Sequence, residues 1–304
     1  MSKVSICIPA YNQAVHLKKT IDSVLCQTYH DYEIVITDDS PGTVVADLVM
    51  NYNLPDRIKY YKNASVLGSP ENWNESIRKA TGEYIKILHH DDWFNFEDSL
   101  SKYVQLLDEN READFAFSAT QAIFPQGKDW VHKISEMQLS SLKEHPLLLY
   151  TNNLIGAPST TIIRNSPTLH FDPNLKWHVD IEYYIRQIKN NPAIIYSPEL
   201  LVVTFLADGR VSDECKGNKE LEVFEYFYLL NLISSDKKNY SSSSYKNCIL
   251  KAMTVCKEYE IKSVTDIRNC GYMGSIPHQI KTWMALNIVS PVLGKGYSKF
   301  LRNI

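Results

Sequence analysis

The sequence predicts an α/β fold: a mostly parallel sheet flanked by helices, followed by a C-terminal helical extension. Short apolar runs alternate with helical periodicity over about the first ninety residues. Their order, strand-helix repeated and closed by a strand, is the pattern of a parallel sheet with helices on both faces. Polar clusters follow three of the strands, at Pro9 to Asn12, Asp38 to Ser40 and Asp91-Asp92. After about Asp213 the strand pattern gives way to helices.

Val4 to Ile8 reads as the first strand, ended by Pro9. Leu17, Ile21, Val24 and Leu25 recur at helical spacing between Ala14 and Cys26. Tyr32 to Thr37 is a second strand, Val44 to about Tyr52 a helix, and Ile58 to Tyr61 a third strand. Asn72 to Ala80 is a helix with Gly82 as its C-terminal stop. Tyr84-Ile85-Lys86-Ile87-Leu88 then reads as a buried parallel strand, short and apolar. A helix is expected over Asp98 to Asn110 and a strand over Ala113 to Ser118. Phe124 to His145 reads as an irregular excursion. A turn and strand follow over Ile155 to Arg164, then a loop from Phe171 to His178 and a helix from Val179 to Asn190. Ala193 to Tyr196 and Leu201 to Phe205 read as two strands, and Ala207 to Ser212 as a loop. Beyond them Glu220 to Leu232, Tyr245 to Tyr259 and the tail from Ile276 are helical.

With 304 residues, 44% hydrophobic and 22% charged, the chain is globular rather than disordered. A net charge of -3 gives no basic field, so nucleic acid is not an expected partner. The six cysteines form no CxxC pair, which signals neither a zinc site nor a disulfide framework. No secretory signal peptide precedes Val4 and no apolar stretch spans a bilayer, so a cytosolic, reduced protein is expected.

Asp91 and Asp92 close an apolar run at the expected carboxyl end of a parallel strand, where open α/β sheets bind ligands. Two carboxylates there suit a hard divalent cation that also holds a phosphate. The competing reading is a helix N-cap, and the stretch alone leaves both open. Neither GxGxxG nor a Walker A sequence is present. A phosphate ligand would therefore be held by a metal and side chains rather than by a glycine-rich loop.

Several motifs stand in order. They are Val4-Ser5-Ile6-Cys7-Ile8-Pro9-Ala10-Tyr11-Asn12, Ser23-Val24-Leu25-Cys26-Gln27-Thr28-Tyr29, Tyr32-Glu33-Ile34-Val35-Ile36-Thr37-Asp38-Asp39-Ser40, Ala80-Thr81-Gly82-Glu83-Tyr84-Ile85 and His89-His90-Asp91-Asp92. Together they resemble the inverting family-two glycosyltransferases with the Rossmann-like GT-A fold. The match is close over about the first hundred residues and looser to Ser212. The resemblance implies a catalytic domain over 1–212, with a nucleotide-sugar half at 1–110 and an acceptor half at 111–212, and a helical extension over 213–304.

It also implies roles. Pro9, Ala10, Tyr11 and Asn12 would wall the base and ribose site, and Asp38 would hydrogen-bond the nucleobase, with Asp39 and Ser40 shaping that loop. Asn72 and Asn74 would contact the donor. Asp91 matches the metal-binding second acid of the DxD motif, and Asp92 the following acid that faces the donor sugar. The motif's first acid is His89 here, which can offer a nitrogen ligand or merely fill space. Asp180 matches the general base at a helix start, although Val179 stands where the family has a Glu. Arg210 would belong to a loop closing over the diphosphate.

The implied chemistry is metal-dependent: Mg2+ or Mn2+ neutralises the leaving diphosphate while Asp180 takes the proton of an acceptor hydroxyl, and the anomeric carbon inverts. UDP is the commonest nucleotide in the family. The resemblance points to a saccharide or lipid-linked saccharide acceptor in bacterial surface-polysaccharide synthesis, at the inner face of the cytoplasmic membrane. Acceptor contacts are expected in Phe124 to His145 and at Ala157-Pro158-Ser159. Two other classes remain at this point, a sugar nucleotidyltransferase and a non-catalytic nucleotide-sugar-binding module. The tail over 276–304 interleaves apolar residues with Lys281, Lys295, Lys299 and Arg302, and no acid follows Asp266. That pattern fits either peripheral membrane contact or a packed helix with a solvated basic face.

Overall fold

A computed structural model describes residues 2–127, 129–206, 211–235 and 243–303. It holds two compact units. Unit 1 comprises Met1–Glu144, Leu154–Asn174 and Tyr183–Asp208; unit 2 comprises His145–Asn153, Leu175–Glu182 and Gly209–Ile304. The sequence placed its boundary at 212, so unit 2 takes in two further segments from upstream.

Unit 1 is built on β1 (Val4–Ala10), α1 (Ala14–Leu25), β2 (Tyr32–Asp38), α2 (Val44–Tyr52), β3 (Ile58–Lys62), α3 (Glu71–Lys79) and β4 (Tyr84–Ile87). The order expected from periodicity is the order found. β1 pairs parallel with β2 on one side and β4 on the other, and β2 pairs parallel with β3. Every residue of β1, β2 and β4 is buried, as expected of parallel strands covered on both faces. α1 turns Leu17, Ile21 and Val24 onto the core, at the spacing of one helix face.

The later part of the sheet is mixed. After β5 (Trp93–Phe94) and α4 (Ser99–Asp108) come β6 (Phe115–Ile123), β7 (Trp130–His132), α5 (Glu136–Glu144), β8 (Thr161–Arg164), α6 (Val179–Asn190) and β9 (Ile194–Phe205). The strand order is β3-β2-β1-β4-β8-β6-β9-β5, with β7 on β6. β8 lies antiparallel between β4 and β6, while β6 and β9 are parallel.

Four expectations need correcting. Phe124 to His145 is not irregular throughout, since it carries β7 and α5. The two strands expected between Ala193 and Phe205 are the single strand β9. Its ladder with β6 slips around Ser118 and Ala119, opposite Ser197 to Val202. Pro198, which has no N–H to donate, lies in that bulge. Gly82 does not stop α3, whose C-cap is Ala80 in an extended conformation. Gly82 is needed because a Cβ there would lie 2.5 Å from the backbone nitrogen of Ser5. Finally, Asp92 caps no helix: it is followed by β5, and α4 begins only at Ser99.

Unit 2 is helical. α7 (Val211–Cys215), α8 (Lys219–Ser234), α9 (Ser243–Glu258), α10 (Val264–Asn269), α11 (His278–Val289) and α12 (Pro291–Asn303) follow one another. α7 occupies part of the expected loop, and α10 was not expected; it starts with a capping box between Ser263 and Asp266. No helix among the described residues is long and apolar enough to cross a membrane.

Candidate active site

Register brings the expected polar clusters of unit 1 together. Ala10 lies opposite Asp38, Asp38 opposite Lys62, and Cys7 opposite Ile87. The carboxyl ends of β1, β2, β3 and β4 are therefore neighbours, and the segments that leave them share one edge of the sheet.

Beyond β1 the chain turns through Asn12 and Gln13, both in the left-handed region at φ 52° and 55°. Such a conformation costs non-glycine residues about 1–2 kcal/mol each. The Asn12 N–H donates to the Ser40 hydroxyl at 2.7 Å, which ties the turn to the loop after β2. Pro9 and Ala10 are buried in β1, whereas Tyr11 is half exposed.

The loop after β2 is held by its own acids. Asp38 is fully buried, and its carboxylate accepts from the Ser40 N–H, the Tyr60 hydroxyl and the Lys62 ammonium at 2.8, 2.7 and 3.0 Å. Burial works against its charge, but the bonds from Ser40, Tyr60 and Lys62 win and hold its pKa below the usual carboxylate value. Asp39 accepts from the Asn63 amide and from the N–H groups of Leu67 and Gly68. The Asn72 amide donates to the carbonyls of Ala10 and Thr37, at the ends of β1 and β2, and accepts from Asn63. Asn74 makes a two-way amide pair with the backbone of Phe171 and donates also to Glu71. The side chains expected to meet the donor thus have protein partners that shape the edge of the sheet.

The acidic corner follows β4. His89, Asp91 and Asp92 each bring one ligand atom to within 4.8 Å of the others. Two buried atoms of this group have no hydrogen-bond partner among the described residues, His89 Nε2 and Asp92 Oδ2. The other Asp92 oxygen accepts from the Phe205 N–H at 3.0 Å, and the Asp92 carbonyl accepts from the Thr20 hydroxyl. Burial, reinforced by the Asp91 charge, pushes the Asp92 carboxyl up to about 8. Burial pushes His89 the other way, to about 4, so it is a neutral imidazole able to ligate a cation. Its ring lies against Trp73, with centroids 4.8 Å apart. A buried carboxylate oxygen and a buried imidazole nitrogen, both orphaned and both beside a second carboxylate, are a donor set that fits a divalent cation.

Two residues under this corner were given no part in it from the sequence. Lys86 is fully buried in β4, where its ammonium donates to the Ser159 carbonyl. Burial lowers its pKa to about 7, against the opposing pull of Asp92. The Ser159 hydroxyl accepts from the His89 N–H at 3.0 Å. Ser159 is itself fully buried, which corrects the expectation that this turn offers it to an acceptor. A lysine inside an apolar strand was a visible signal; nothing in the sequence linked Ser159 to the acidic corner.

In unit 2, Asp180 lies in the first turn of α6 and is half-buried. It accepts from the Asn153 amide and from the Ile181 N–H, each at 2.9 Å. Burial raises its carboxyl to about 6, partly offset by the Ile181 N–H and by His178. The chain leading into α6 is anchored by Glu225 of α8, another residue that sequence reasoning missed. Its carboxylate accepts three successive backbone N–H groups, those of Lys176, Trp177 and His178. It also lies 3.2 Å from His178 Nδ1. Burial opposes the Glu225 charge, yet the bonds from His178 and the backbone hold its pKa below the usual value. Arg210 lies outside the described residues.

A cleft of about 710 Å³ opens in unit 1 among Lys3, Asp31, Arg78, Glu83 and Asn165. It lies at the amino ends of β1 and β4, the wrong edge of a parallel sheet for a ligand.

A parallel sheet whose strand ends converge on an acidic corner, continued by a mixed sheet, defines the class as an α/β protein with its candidate site at the carboxyl edge of the sheet. The family model for glycosyl transferase family 2 matches residues 5–169, and the chain belongs to that family. An uncharacterized glycosyltransferase of Methanocaldococcus jannaschii is 29% identical over 197 residues, covering 62% of this chain and 65% of that protein. A GalNAc(5)-diNAcBac-PP-undecaprenol beta-1,3-glucosyltransferase of Campylobacter jejuni is 35% identical over 94 residues, 30% of each chain. The chain thus spans less than two thirds of the length of these curated relatives. Residues 1–349 of S. aureus TarS, solved with UDP-GlcNAc, superpose with a TM-score of 0.66 at 15% identity, covering 99% of this chain and 90% of that one. A mannosyltransferase of Pyrobaculum calidifontis, solved with GDP-Man and Mn2+, gives 0.58 at 14% identity, covering 99% and 84%. These likenesses show the GT-A fold.

Proposed function

We propose that this chain is a metal-assisted, inverting glycosyltransferase that moves a sugar from a nucleotide-sugar to a hydroxyl of a saccharide or lipid-linked saccharide. The observation that carries the reading is the corner formed by His89, Asp91 and Asp92, with two orphaned ligand atoms at the carboxyl edge of the sheet. His89, Asp91 and Asp92 would hold the cation, which when bound neutralises charge on a departing diphosphate. An imidazole among the ligands favours Mn2+ over Mg2+, since Mg2+ prefers an all-oxygen shell. The Mn2+ in the mannosyltransferase supports a cation of this kind, and the UDP-GlcNAc and GDP-Man of the two solved neighbours support a nucleotide-sugar donor.

The half-exposed Tyr11 ring offers a flat face to the base, while Asp38, Asp39, Ser40, Asn72 and Asn74 hold the wall behind it. Asp180 serves as the base. A carboxyl near 6 is largely ionised at neutral pH yet basic enough to take a hydroxyl proton. The undecaprenol-linked acceptor in the name of the Campylobacter relative supports a lipid-linked acceptor.

The deciding experiment follows donor consumption from a panel of UDP-, GDP- and dTDP-sugars with Mn2+, Mg2+ or EDTA. Metal-dependent release of nucleoside diphosphate, lost in Asp91→Asn, is expected. Release of inorganic diphosphate from a nucleoside triphosphate and a sugar phosphate would instead make the chain a nucleotidyltransferase.

A further inference from the structure

The last two helices of unit 2 leave an apolar surface that no described residue of unit 2 covers. α11 buries Ile280, Trp283 and Met284. It then ends with Ile288 and Val289 about three-quarters exposed. Ser290, in extended conformation, breaks the helix, and α12 restarts at once at Pro291. α12 packs against α9 and α11. Its inner side is narrow, formed by Gly294, Ser298 and Leu301. A Cβ at Gly294 would collide with the Asn287 side chain, so the glycine permits the close approach of α11 and α12.

The rest of α12 divides into two outer sides. At about 100° per residue, Val292, Leu293, Gly296 and Phe300 fall within an arc of about 100°. Lys295, Lys299 and Arg302 fall within the next, on the flank of that apolar stripe. Val292, Leu293 and Phe300 are exposed, as are the three cations. A helix needs one apolar side to pack on its domain. α12 has a second, and it is continuous in the chain with Ile288 and Val289.

We infer that this surface, Ile288 and Val289 with the outer sides of α12, docks on an anionic lipid bilayer. Exposed apolar side chains beside a row of cations are what an interfacial helix presents to a membrane: the apolar stripe enters the headgroup boundary while the cations meet lipid phosphates. The charge pattern selects this occupant over a second copy of the chain. No acid follows Asp266, so a two-fold pairing of α12 with itself would bring Lys295, Lys299 and Arg302 toward their own copies with no counter-charge on these helices. Phe300, which stacks on Tyr297 with centroids 6.4 Å apart, adds an aromatic group suited to the interface. The inference stands apart from the donor chemistry and adds to the proposed function a way for the enzyme to reach an acceptor held in lipid.

The test is co-sedimentation of the full chain with vesicles of phosphatidylglycerol in phosphatidylcholine, and of phosphatidylcholine alone. Wild-type protein is expected to bind the anionic vesicles and to release as salt is raised. Lys295→Gln/Lys299→Gln/Arg302→Gln should weaken that binding on the order of 100-fold, from the contribution of three cations near a charged surface. Val292→Ser/Leu293→Ser/Phe300→Ser should abolish it. All six side chains are exposed, so unchanged circular dichroism and melting are expected. Donor hydrolysis, read in the same variants, should stay at the wild-type level; its failure would bear on the catalytic reading and not on this one. Equal vesicle binding by wild type and both variants would overturn the inference. So would a wild-type dimer in light scattering that the serine variant dissolves without any vesicle binding.

Discussion

The hydroxyl of Ser159 accepts the backbone N–H of His89. The turn that carries Ser159 is thereby bonded to the first residue of the acidic corner, and the ammonium of Lys86 holds the same serine through its carbonyl. The corner is positioned from beneath by groups that never reach its surface.

Ser159→Ala removes the acceptor of a partly buried N–H. An amide left without a partner costs about 1–3 kcal/mol. Urea unfolding should show a loss of that size, and Mn2+ affinity should fall with it because His89 is no longer fixed. Unchanged stability together with unchanged Mn2+ affinity would remove Ser159 from this role.

Asp92 makes the metal-free protein pH-sensitive. Burial and the Asp91 charge push its folded-state carboxyl up to about 8, from the ordinary 3.8. Between those values the native state holds a proton that the unfolded state has released, so unfolding free energy falls as pH rises. The melting temperature in EDTA should therefore drop between about pH 5 and pH 8, and Asp92→Asn should flatten the slope. Asp180, raised to about 6, acts in the same direction, so the difference between wild type and Asp92→Asn is the readout. Parallel profiles for the two proteins would refute the assignment.

Asp180→Asn keeps the shape of the side chain and removes its basicity. Transfer should fall by about 10²–10⁴-fold while donor affinity is retained. In the wild type, kcat/KM should decline below a pH of about 6 as the carboxyl protonates. Near wild-type transfer by the asparagine variant would rule Asp180 out as the base.

Glu225→Gln tests the anchor of the α6 start. A glutamine presents one acceptor oxygen and an NH2 group to three backbone N–H groups that now meet a carboxylate. A destabilisation of about 1–3 kcal/mol is expected, with kcat reduced more than KM because the displaced residue is Asp180. A variant that loses stability but keeps kcat would show that Glu225 serves the fold alone.

The parts of the fold legible in the sequence are those where one face, or both, must be apolar. β1, β2 and β4 are buried throughout, and α1 carries a clean inward stripe. β7 and α5 escaped because they bury little: β7 has no fully buried residue, and α5 has only Leu142. β9 looked like two strands because Pro198 interrupts its apolar run, and the bulge that accommodates it shows only in the register with β6. At the candidate site, the positions of the acids followed from strand ends. The partners of those acids did not. Glu225 is 47 residues from His178, and Ser159 is 70 from His89; no local pattern links them.

The internal bonding of the loop after β2 has a consequence for engineering. Asp38, Asp39 and Asn72 spend their polar atoms on Tyr60, Lys62, Asn63, Leu67, Gly68 and the ends of β1 and β2. Together they brace the edge of the sheet. Replacing these three residues would dismantle the edge they brace. Tyr11, half exposed at the rim, is the position that can be exchanged while the arch behind it stands.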